Sequence, residues 1–135
     1  NFGSDAVALA LVGVLDDVEA KVRKNAIESL IELDAVSAVP ALTERLELES
    51  DPVVQRWIVD ALGRLGDRAA VPALVAFLEA RTDNPPLNAV WALGVLEDDR
   101  ALPVLSGLRS SADPHVIWNV NQALRTLRPA PPSSD

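Results

Sequence analysis

The sequence predicts an all-α fold, a solenoid of about four two-helix repeats. Three observations predict it. A segment recurs every 31–32 residues, its apolar residues keep helical spacing, and proline, glycine and aspartate mark the same points in each copy. "VRKNAIESLIELDAVSAVPALTERL" (22–46) aligns without gaps on "VQRWIVDALGRLGDRAAVPALVAFL" (54–78) at an offset of 32. "NAVWALGVLEDDRALPVL" (88–105) continues near 31, and "DPHVIWNVNQALRTL" (113–127) repeats the first half again. A period of 20–50 residues is the signature of stacked repeats, in which a single unit cannot cover its own apolar face.

Each repeat reads as an A helix followed by a B helix. The A helices are expected over about 5–15, 37–48, 69–80 and 100–109, and the B helices over about 18–33, 52–65, 85–96 and 114–127. In the B helices one column is Ala26, Ile58, Ala89 and Val120. A second is Leu30, Leu62, Leu93 and Leu124, and a third is Leu33, Leu65, Leu96 and Leu127. Steps of four and then three put these columns on one helical face. The A helices contribute Leu42, Leu74 and Leu105.

The breaks follow the same register. Asp51-Pro52, Asn84-Pro85 and Asp113-Pro114 read as an N-cap followed by proline at the first helical position. Asp16 and Glu19 have capping-box spacing. Gly66-Asp67 ends one helix and turns into the next. Pro40, Pro72 and Pro103 fall in the first turn of an A helix, where an amide has no intrahelical acceptor to lose. The repeat domain is expected to cover 1–128, with repeats at about 5–33, 37–65, 69–96 and 100–127. The Pro/Ser-rich residues 129–135 read as a disordered tail or linker.

Composition narrows the function classes. No cysteine is present, which removes disulfides, thiolate metal sites and a cysteine nucleophile. No apolar run reaches the roughly 18 residues that span a bilayer, so membrane insertion is not expected. A soluble chain is expected, in the cytoplasm ahead of the periplasm or the medium. The chain begins with Asn and contains no Met, which suggests a processed or excised piece of something longer. Arginine outnumbers lysine ten to two, in keeping with a GC-rich bacterial genome. The net charge of −8 argues against nucleic acid as a partner. Residues 1–51 carry a net −7 and residues 52–135 a net −1. The acidic end reads as a solvated face, or as a surface that steers a basic partner.

"DPVVQRWIVDALGRLGDRAAVPALVAFL" resembles the short bacterial HEAT-like repeat, the type named after phycobilisome bilin lyases. The resemblance runs over about residues 5–127. It implies a right-handed α-solenoid with A helices on the convex side and B helices lining the concave side. The family usually places Arg after the Val that opens helix B. Arg23 fits, while Gln55, Pro86 and Ile117 depart, so no continuous Asp–Arg ladder is expected.

Candidate binding residues follow from the B helices. All three tryptophans, Trp57, Trp91 and Trp118, lie there and off the leucine stripe. Exposed aromatics clustered in a concavity are typical anchors for a bound segment. Arg56, Asp60, Asn119, Gln122 and Arg125 are expected to add polar specificity to this groove. Asn25, Asn88 and Asn119 share one column and read mainly as structural, bonding the backbone of a neighbouring turn. The first helix is apolar nearly all round, with Val7, Leu11 and Val14 as a candidate interface for a missing repeat, another domain or a second copy.

His115 is the one histidine, so no metal site and no cofactor are expected. No calcium loop, nucleophile elbow or phosphate-binding glycine loop is present. The reading is therefore a non-catalytic interaction scaffold that binds a peptide or protein segment along the B-helix groove. The resemblance implies an alternative, a bilin lyase-like subunit holding a tetrapyrrole. A structural spacer within a larger chain is the third.

Overall fold

The computed structural model describes residues 2–127, with side chains from residue 5 onward. The expected linker at 129–135 lies outside the described residues. Eight α-helices follow one another: α1 (Phe2–Val12), α2 (Ala20–Glu32), α3 (Val39–Leu48), α4 (Pro52–Leu65), α5 (Val71–Glu79), α6 (Leu87–Leu96), α7 (Leu102–Gly107) and α8 (Pro114–Leu127). No strand occurs among the described residues. The odd-numbered helices are the A helices and the even-numbered ones the B helices.

Local chemistry sets most of the boundaries. The Asp51 carboxylate accepts from the Val53 and Val54 amides, and Pro52 opens α4 at no hydrogen-bonding cost. Asp113 likewise accepts from the His115 amide at the start of α8. Gly66 closes α4 in the left-handed conformation, at φ 77°. Asp67 and Asp98 each accept from an amide two residues on and start a 3-10 turn that leads into α5 and α7. Single 3-10 turns at 36–38, 68–70 and 99–101 thus precede all three later A helices.

Some expectations fail. Asn84 does not cap α6, because that helix begins at Leu87, after both prolines, and Pro86 occupies the N-cap. Asp16 and Glu19 form no capping box. Residues 13–18 are taken up by turns, Glu19 is the N-cap without a side-chain bond, and its amide donates to Asp17 Oδ1. The first helix ends at Val12 instead of Leu15, with Val14 and Leu15 in the following turns. Leu33 remains partly exposed, whereas Leu65, Leu96 and Leu127 of its column are buried.

The core runs as one stripe through the stack. Leu30, Leu62, Leu93 and Leu124 of the B helices meet Leu42, Leu74 and Leu105 of the A helices, all buried. A leucine side chain buried in this way contributes about 2 kcal/mol. Neighbouring B helices pack on one another far more extensively than neighbouring A helices do. The A helices therefore splay, and the stack bends with the B helices inside.

Candidate functional site

Every B helix buries one face and leaves a second along the inside of the bend. That second face is formed by three columns: Lys24, Arg56, Leu87 and Trp118; Glu28, Asp60, Trp91 and Gln122; and Glu32, Arg64, Val95 and Thr126. Its character changes along the stack. On α2 and α4 it is charged and internally paired. Lys24 Nζ lies 3.5 Å from Glu28, and Arg64 Nε donates to Asp60 at 2.9 Å. On α6 it is apolar, and α8 adds Trp118 beside the polar Gln122 and Thr126. Leu87, Trp91 and Val95 stand one turn apart on α6 and are exposed, and Trp118 of α8 occupies the column of Leu87.

The three tryptophans are not equivalent. Trp57 is half-buried against the core, with Lys24 Nζ 5.4 Å from its ring centroid. Trp91 is 39% exposed and lies over α4, the B helix of the preceding repeat. A Cβ on Gly63 would fall 2.6 Å from Trp91 Cζ3, so the bare glycine makes room for the ring. The Arg64 guanidinium is 5.9 Å from the same ring, within range of a cation–π contact. Trp118, at 62%, is the most open of the three.

The polar candidates also separate. Arg56, Trp57, Asp60 and Asn88 line a cleft of about 260 Å³ between α4 and α6. Asn88 Nδ2 donates to the Arg56 carbonyl across the repeats, at 3.0 Å. Asn119 instead bonds the His115 carbonyl of its own helix, and Asn25 is exposed. The expected asparagine register contact therefore forms at Asn88, and to a helix carbonyl instead of a turn. Gln122 is half-buried, while Arg125 is exposed beside a smaller hollow with Arg109, Asn121 and Leu124. On α1, Val7 is 48% exposed, but Leu11 and Val14 pack partly against the core. Leu9, at 75%, is the more open residue there.

Sequence reasoning passed over two features. One is the apolar pair Leu87 and Val95, although both sit in columns that carry charges one and two repeats earlier. The other is buried Glu49. It accepts from Arg23 Nε and Nη2 at 2.9 and 2.8 Å, from Arg45 Nε at 3.0 Å and from the Asp51 amide. Arg23 also donates to the Asp17 carbonyl within the first repeat at 2.7 Å, while its bonds to Glu49 tie that repeat to the second. These hydrogen bonds and the guanidinium charge offset the cost of burial and hold the Glu49 carboxyl below its ordinary pKa. The signal in the sequence was Arg23 itself, but its partner lies 26 residues away and outside the repeated columns.

Paired helices stacked at a regular period, with one helix of each pair lining the inner face, define a helical repeat protein of the solenoid class. The family profile for HEAT repeats matches residues 8–86, and that for the PBS lyase HEAT-like repeat matches residues 86–108. The chain belongs to the HEAT repeat family. It is 35% identical over 81 residues to the bilin biosynthesis protein PecE of Mastigocladus laminosus, covering 60% of this chain and 30% of that protein. A chain in the structure of the complex of CpcE and CpcF of phycocyanin lyase from Nostoc sp. PCC7120 superposes with a TM-score of 0.76. It shares 27% identity, over 89% of this chain and 53% of that one. A designed armadillo repeat protein in complex with the peptide (KR)4 gives a TM-score of 0.63 at 27% identity, over 87% of this chain and 63% of that one. The chain therefore spans 30% of the length of the curated relative and about half of the solved one.

Proposed function

We propose that this chain is a non-catalytic binding module whose B-helix groove takes a segment of another protein. The exposed cluster of Leu87, Trp91, Val95 and Trp118 on the inside of the bend carries this reading. A large apolar patch costs solubility and is retained where something covers it. Trp57, Arg56, Asp60 and Asn88 extend the surface toward α4, and Asn119, Gln122 and Arg125 edge it on α8. Two similar structures support a protein ligand, since one is a complex of two proteins and the other holds a peptide. The test is affinity capture from native extract with this chain beside a Trp91→Ala/Trp118→Ala variant, both checked by circular dichroism. Partners held by the native chain and lost with the folded variant are the expected result. Identical captures would sink the reading and favour a spacer.

The likeness to PecE favours a second reading, in which the same groove holds a tetrapyrrole while it is attached to a protein. Flat indole faces at Trp91 and Trp118 suit a flat ligand. Titration with a free bilin would then shift its visible absorption, and the shift would be lost in the double tryptophan variant. An unchanged spectrum at stoichiometric concentrations excludes it.

A further inference from the structure

The net charge of −8 hides a local reversal. Twenty acidic residues are spread over the chain, yet α6 and α8 contain none. The charged residues of the groove above the first two repeats neutralise each other through Lys24–Glu28 and Arg64–Asp60. Two arginines stand apart from those pairs, Arg56 on this face and Arg125 at its edge, in the register of Gly63 and Gly94. Neither Arg56 nor Arg125 joins an ion pair among the described residues, and both are exposed.

Their positions bracket the apolar patch. Arg56 lies beside the first turn of α6, since its carbonyl accepts from Asn88, next to Leu87. Arg125 is seven residues beyond Trp118 and therefore on the same side of α8, two turns along. Between them stand Leu87, Trp91, Val95 and Trp118, with the amides of Asn88, Asn119 and Gln122 around them and no carboxylate from either helix. From this arrangement we infer that the groove of the last two repeats selects an acidic segment with aromatic or aliphatic anchors. The anchors cover the indoles of Trp91 and Trp118, and flanking Asp or Glu carboxylates meet Arg56 and Arg125. Complementary charge at the rim of an apolar contact sets specificity and association rate more than total affinity. This inference rests on the groove reading above and adds the chemistry of the occupant. It runs against the expectation from overall charge, which would supply a basic partner.

The test selects a displayed library of random 12-residue peptides on three immobilised baits: the native chain, Arg56→Gln/Arg125→Gln, and Trp91→Ala/Trp118→Ala. Glutamine keeps helix propensity and the unbranched stem at two exposed positions, so the charge variant is expected to fold. On the native chain the enriched peptides should combine Phe, Trp, Leu or Ile with Asp or Glu. On the arginine variant the apolar preference should persist and the acidic one disappear. A synthetic consensus peptide should bind the native chain about fivefold more tightly than the arginine variant, two exposed charge pairs being worth about 1 kcal/mol together. That gap should shrink as salt is added. Enrichment of Lys or Arg, absence of any charge preference, or an acidic preference unchanged in the arginine variant would overturn the inference and leave the groove reading standing. Failure to enrich any peptide on the native chain over the tryptophan variant would take both down.

Discussion

The joint between the first two repeats and the joints further along hold the stack by opposite means. At the first, a buried carboxylate does the work. Glu49 gathers Arg23 from α2 and Arg45 from α3, and the surface above carries paired charges. At the later joints, helices meet over bare glycines. A Cβ on Gly94 would lie 2.9 Å from Ala123 Cα, and one on Gly63 would lie 3.0 Å from Ala92 Cβ. In the same register α2 has Ile31, a branched side chain where the second and third repeats have none. Polar clamps reinforce the later joints. Thr126 Oγ1 donates to the Gly94 carbonyl at 2.7 Å, Arg68 Nε to the Leu96 carbonyl, and Arg100 Nη2 to the Arg68 carbonyl. The lesson is that one repeat fold tolerates two kinds of seam. At Gly94 the small-residue seam goes with an apolar inner face on α6, whereas α4, which carries Gly63, keeps a charged one.

Breaking the ionic seam should have the largest effect. Glu49→Ala leaves Arg23 buried without its partner, and stability should fall by about 3–5 kcal/mol in urea titration. Replacing both partners together, Arg23→Met with Glu49→Leu, should recover most of that loss, because neither charge is then stranded. Acid probes the same seam. The folded Glu49 pKa lies below its unfolded value near 4.5, so its contribution is complete above that value. It declines as pH falls from there through the folded pKa. Asp98, held at about 2 by Arg100, declines in the same direction but is exposed. Native stability should therefore drop below about pH 4.5, and the Arg23→Met/Glu49→Leu chain should drop less. Equal acid profiles would mean that the cluster carries no net stabilisation.

The glycine seam should break at intermediate cost. Gly94→Ala gains about 1 kcal/mol of helix propensity but drives a methyl into the α8 backbone. Overpacking of this kind costs about 1–3 kcal/mol, so the net change should be a loss of about 1 kcal/mol. Gly63→Ala meets the far end of Trp91 first, and that ring can turn away. Its signature should be a shifted tryptophan emission with a smaller loss of stability. A stabilised Gly94→Ala chain would show that α6 and α8 part easily, and that the close approach is not what holds them.

Much of this was legible because the repeat itself is a covariance that one chain carries. The offset of 31–32 residues placed the helices, and Asp51, Asp113 and Gly66 behaved as their chemistry dictates. Position within a column did not give exposure. Trp57 and Trp91 differ because of what the neighbouring repeat offers each: Lys24 over the first ring and Gly63 beneath the second. Such contacts cross a seam and belong to no single repeat. Arg23 was visible as the one residue of its column that fits the family's Arg, but Glu49 was not, since nothing in its column marks it as charged and buried. Asn84-Pro85 reads as a cap and first helical residue, but the double proline delays the helix, because Pro86 holds the extended conformation at the N-cap that Asp51 holds in α4.

The smallest expected effect compares the same turn at opposite ends of the stack. Helix B closes with a left-handed residue in three repeats: Asp34 at φ 52°, Gly66 at φ 77° and Glu97 at φ 52°. Glycine adopts this conformation without a Cβ penalty, aspartate tolerates it, and glutamate does so poorly. The penalty for an ordinary residue is about 1–2 kcal/mol, and glycine gives back about 0.5–1 kcal/mol through its freer unfolded chain. Glu97→Gly should therefore stabilise the chain by about 0.5 kcal/mol, and Asp34→Gly by less. Thermal melts of the two variants against the native chain decide the order. A larger gain at Asp34 would mean that the turn beside the ionic seam is the more strained one, so that the buried charges and the left-handed turn act against each other within the first repeats.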